Sequence, residues 1–88
     1  MSMIQKLDPK EARALQEIGG RVMLGAELMR RLEIRDPGEL YKLLKPLVGR
    51  DLVQVSGDLS PDRVAFAAFS MRPSDFQYIR KQILESLE

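Results

Sequence analysis

Eighty-eight residues, 44% hydrophobic and 31% charged, suit one small folded domain and lie far from the compositions that stay disordered. The chain has no histidine and no cysteine. It therefore lacks the usual near-neutral general base, a thiolate nucleophile, the nitrogen and sulfur ligands of zinc or copper, and any disulfide. No catalytic residue, metal ligand or cofactor is assigned, and an enzyme is not expected. Fourteen Lys and Arg against thirteen Asp and Glu leave a formal net charge of +1, so nucleic-acid binding would need a local basic patch.

The opening Met1-Ser2-Met3-Ile4-Gln5-Lys6 lacks the apolar core of a signal peptide. Asp8-Pro9-Lys10-Glu11 reads as a helix start, with Asp8 as cap, proline at the first helical position and Glu11 completing a capping box. This first helix runs to Ile18 and stops at Gly19-Gly20, with Ala12, Leu15 and Ile18 facing inward. Val22-Met23-Leu24 is a short extended segment. Leu28, Met29 and Leu32 mark a second helix over 25–32, and Glu33-Ile34-Arg35 is a connector.

Asp36-Pro37-Gly38-Glu39 repeats the cap, proline and glutamate arrangement. It opens the clearest stripe in the chain, Leu40, Leu43, Leu44, Leu47 and Val48. Pro46 is expected to kink the last turn of this third helix or end it early. Strands are predicted over 52–56 and 64–71, joined as a hairpin by the turn-rich loop 57–62. Phe66 and Phe69 have opposite parity in the second strand, which requires a bulge or two covered faces.

Arg72-Pro73 breaks that strand, and Ser74 caps a final helix over about residues 74–87, striped by Phe76, Ile79, Ile83 and Leu87 with Leu84 on its flank. The fold class is mainly α with a small β-hairpin, a single domain across residues 1–88. Its expected core is Leu15, Ile18, Leu28, Leu32, Leu40, Leu43, Leu44, Leu47, Leu52, Val53 and Phe76. No segment approaches membrane-spanning length, and the absence of cysteine points to the cytoplasm as the default compartment.

Helix, helix, helix, strand, wing, strand, helix is the layout of a winged-helix domain, and the middle of the chain resembles that family residue by residue. Glu27-Leu28-Met29-Arg30-Arg31-Leu32-Glu33-Ile34 is similar to the helix and turn of bacterial winged-helix regulators of the MarR-like class. Leu40, Leu43, Leu44 and Leu47 match the core leucines of their recognition helix, and Arg50-Asp51-Leu52-Val53 matches the step into the wing. Glu33 and Asp51 stand where the family often has glycine, and the turn 35–38 carries one extra residue.

The resemblance implies DNA binding through the third helix, whose outer face carries Gly38, Lys42, Lys45 and Gly49, with Tyr41 at its margin. Arg35, Arg50 and Arg63 would add phosphate contacts, although the wing loop itself is acidic at Asp58 and Asp62. The expected partner is double-stranded DNA, bound by a homodimer joined through Phe76, Ile79, Ile83, Leu84 and Leu87. The implied role is that of a small transcriptional regulator. The alternative is a winged helix used for protein docking, with the hairpin around Leu59 and Phe69 as its contact surface and no DNA bound.

Overall fold

Two Asp-Pro pairs set where the first and third helices begin. In the computed structural model, which describes residues 7–87, α1 spans Pro9–Ile18 and α3 spans Pro37–Gly49. The reading of Met1 to Lys6 lies outside the described residues. The Asp8 amide donates to Glu11 Oε1 at 3.1 Å, and the Gly38 amide donates to Asp36 Oδ1 at 3.1 Å. Carboxylates thus occupy donors that each helix start would otherwise leave unpaired. Between these helices lie β1 (Met23–Leu24) and α2 (Gly25–Leu32). After them come β2 (Gln54–Ser56), a 3-10 turn over Val64–Phe66, β3 (Ala68–Ser70) and α4 (Pro73–Leu87).

The described residues are mainly helical, with a small antiparallel sheet in the order β1-β3-β2. The expected hairpin is present as β2 and β3, and Met23–Leu24, within the extended segment expected over 22–24, supplies a third strand through the pairs Met23 with Phe69 and Leu24 with Ala68. One core lies between the sheet and the helices, built on Leu15, Ile18, Leu28, Leu40, Leu44, Leu47, Val53, Val64 and Phe69. Among the described residues no helix is long and apolar enough to cross a membrane.

Four details depart from the sequence reading. Helix α3 continues through Pro46 to Gly49. Pro46 and Lys42 are both exposed, so the carbonyl deprived of its donor faces water instead of a dry core. The strand expected from Leu52 starts only at Gln54, because the amides of Leu52 and Val53 both donate to the Leu47 carbonyl and finish α3. The strand expected over 64–71 shortens to three residues. Its parity conflict is resolved by the 3-10 turn, which buries Val64, leaves Phe66 82% exposed, and lets Phe69 enter the core. Finally, α4 begins at Pro73, and the Phe76 amide bonds the Arg72 carbonyl at 3.0 Å, so Ser74 lies within the first turn. Of the expected core, Leu32, Leu43, Leu52 and Phe76 pack at its margin, partly buried.

Helices α2 and α3 end alike. The Ile34 amide bonds the Met29 carbonyl and the Glu33 amide bonds the Arg30 carbonyl; the Leu52 amide bonds the Leu47 carbonyl and the Asp51 amide bonds the Val48 carbonyl. Both are Schellman closures, which place one residue in the left-handed region. Those residues are Glu33 at φ 59° and Asp51 at φ 61°, two side-chain-bearing residues in a conformation suited to glycine. Gly25 has the opposite requirement: a Cβ there would collide with the Val64 carbonyl oxygen, while its amide donates to the Ala67 carbonyl at 2.9 Å.

Glu33 is exposed and forms no ion pair among the described residues, so Glu33→Gly relieves backbone strain at little loss of contact. Chemical denaturation should show the variant more stable than the parent by about 1 kcal/mol.

Candidate nucleic-acid interface

Gly38, Lys42, Lys45 and Gly49 recur along α3 at intervals of four, three and four, opposite the buried Leu40, Leu44 and Leu47. Lys42, Lys45 and Gly49 are exposed and Gly38 is half-buried. Nothing stands within 4 Å of a Cβ at Gly49, so the backbone there is open to close approach. The Lys45 ammonium lies 5.5 Å from the centroid of the Tyr41 ring, a cation-π distance that holds the lysine over its own helix. Neither Lys42 nor Lys45 forms an ion pair among the described residues.

The start of α3 has the opposite character. The Asp36 carboxylate accepts the Gly38 amide and would lie 3.5 Å from a Cβ at Gly38, and the exposed Glu39 adds a second carboxylate in the first turn. An anion approaching this end meets fixed negative charge where a helix dipole would otherwise attract it. The basic part of α3 is therefore its middle, and Gly38 is screened by its own cap.

The remaining candidates divide. Arg35 is exposed in the α2–α3 connector, with no ion pair among the described residues. Arg63 stands 3.9 Å from Asp58, a loose pair with both side chains more than 70% exposed. Arg50 is committed elsewhere: its guanidinium donates to Glu11 Oε2 at 3.0 Å, with side-chain exposures of 29% for Arg50 and 10% for Glu11. Arg30 and Arg31 both bind Glu27, and hydrogen bonds from Arg30 and then Arg31 hold its carboxyl below the usual range. Arg72 bridges Asp75 and Asp51.

The five residues expected at a dimer seam also divide. Ile79 and Ile83 are 4% and 2% exposed within the chain's own core, where α4 packs on α1. Phe76 and Leu87 are partly buried against the same core, while Leu84 is 48% and Tyr78 77% exposed. A charge at Ile83 would therefore disrupt the fold itself. At the hairpin, Phe69 is fully buried and Leu59 partly so, because β3 turns Phe69 inward. The exposed apolar side chains on that side are Phe66, Val22 and Leu24.

Among the described residues no group of three or more histidine, cysteine or carboxylate side chains could hold a metal ion. No family profile, curated protein or solved structure matches this chain at a significant level.

Removing the Arg50 guanidinium leaves the Glu11 carboxylate buried without its cation. Arg50→Ala should lower stability by about 1–3 kcal/mol in urea denaturation, and the added change Glu11→Gln should recover part of that loss.

Proposed function

We propose that this chain is a winged-helix domain that binds double-stranded DNA through the middle of α3 and acts, as a dimer in the cytoplasm, as a small transcriptional regulator. The observation that carries the DNA reading is the pair Lys42 and Lys45, exposed on one face of α3 with neither charge taken up by a carboxylate among the described residues. Support for the winged-helix assignment comes from the four-residue connector 33–36 between α2 and α3, the antiparallel strands after α3, and the closing helix α4. It also comes from Glu33 and Asp51, which hold a left-handed backbone at the two positions where the resembling family often has glycine.

Lys42, Lys45 and Arg35 supply about three phosphate contacts per protomer, giving a salt slope near −3, and about −5 for a dimer. The carboxylates of Asp36 and Glu39 keep base reading away from the start of α3, so phosphate contacts dominate and sequence preference is weak. Binding to random duplex DNA, followed from about 50 to 200 mM salt, tests this. Lys42→Ala and Lys45→Ala should each reduce the magnitude of the slope by nearly one unit per protomer, about two units for the dimer, for all duplexes alike. A wild-type protein that binds no duplex at the lowest salt removes the proposal.

Association would involve the exposed Leu84 of α4, since Ile79 and Ile83 are not accessible. Sedimentation should show a dimer at about 100 μM, and Leu84→Glu should convert it to a folded monomer with weakened DNA binding. The docking reading is favoured by one observation, Phe66 at 82% exposure. Under that reading Lys42 and Lys45 are immaterial and Phe66→Ser abolishes capture of the protein partner.

A further inference from the structure

We propose that the recess between the start of α1 and the α2–α3 connector binds a free apolar α-amino acid. The recess encloses about 140 Å³ and is lined by Lys10 and Arg13 of α1, Glu33 and Ile34 of the connector, and Glu39 and Leu43 of α3. Lys10 and Arg13 are three residues apart and so share one side of α1. Two cations and two carboxylates border a single hollow, yet none of the four forms an ion pair within 4 Å among the described residues.

This is the complement of a zwitterion. A carboxylate is attracted to the Lys10 and Arg13 side, and an ammonium to the Glu33 and Glu39 side. The partly buried Ile34 and Leu43 offer an apolar surface to a side chain lying between. Size sets the class further: a cavity of about 150 Å³ accommodates a six-carbon ring, so this hollow, open to solvent on one side, takes a branched four-carbon side chain such as that of leucine while the ammonium and carboxylate stay at its charged rim. The four charged side chains are exposed, so solvent screens their attraction and the expected affinity is in the millimolar range. The site stands whether or not the chain binds DNA.

The experiment is a titration of the isotope-labelled protein with L-leucine, followed by amide chemical shifts. Saturable shifts are expected at Glu33, Ile34 and Leu43, with a dissociation constant below about 20 mM. N-acetyl-L-leucine lacks the ammonium and L-leucinamide lacks the carboxylate; each should bind at least about fivefold more weakly than leucine. Arg13→Ala and Glu39→Ala, both at exposed positions and each checked for an unchanged spectrum elsewhere, should weaken leucine at least about fivefold. The proposal is overturned by the absence of saturable shifts up to about 20 mM, by less than fivefold discrimination against either analogue, or by variants that bind as the parent does. Equal binding of N-acetyl-L-leucine would point to a peptide carboxy terminus instead, and equal binding of L-leucinamide to a peptide amino terminus.

Discussion

The carboxylate of Glu11 ties the start of α1 to the end of α3. One oxygen accepts the Asp8 amide and so closes the first turn of α1, while the other accepts the Arg50 guanidinium just beyond the last turn of α3. The residue is 8% exposed, which strengthens both bonds and makes each partner costly to remove. Because α3 is pinned at its far end to the beginning of α1, its leucine face is committed to the core along its whole length. The direction in which Lys42 and Lys45 project follows from that pin.

Charge on α3 is graded along its axis. Carboxylates from Asp36 and Glu39 gather at the start, lysines stand in the middle, and the arginine at the end is drawn inward. A uniformly basic face would attract any polyanion over its full length; this one narrows the attraction to about two turns. Elsewhere three arginines are neutralised in place, Arg30 and Arg31 by Glu27 and Arg72 by Asp75 and Asp51. The near-zero net charge thus conceals eight cations without an ion pair among the described residues, Lys10, Arg13, Arg21, Arg35, Lys42, Lys45, Arg80 and Lys81, of which Lys42 and Lys45 are the two on α3.

Helix positions were legible from sequence because caps and leucine periodicity act locally: Asp8-Pro9 and Asp36-Pro37 announce starts, and the spacing of Leu40, Leu44 and Leu47 announces a face. What escaped is set by long-range geometry. Nothing near Arg50 in the chain discloses that its partner is 39 residues away, and periodicity around Ile83 cannot say whether α1 or a second molecule covers it. The strand over 64–71 failed for a different reason. Its two phenylalanines required a break, but alternation alone does not distinguish a bulge from a single 3-10 turn. The recess beside α1 was equally hidden, since its lining comes from three separate elements.

At Gly25 the start of α2 touches the backbone of the 3-10 turn that precedes β3, with the Val64 carbonyl occupying the space of a missing methyl. This contact acts as a gauge for the whole architecture. Any related sequence that carries a larger residue here must hold this 3-10 turn farther from α2, and with it change the tilt of β3 in the sheet. One atom's absence therefore sets the spacing between the two halves of the domain, and glycine at this position is a sharper criterion for kinship than the leucine pattern, which many helical proteins share.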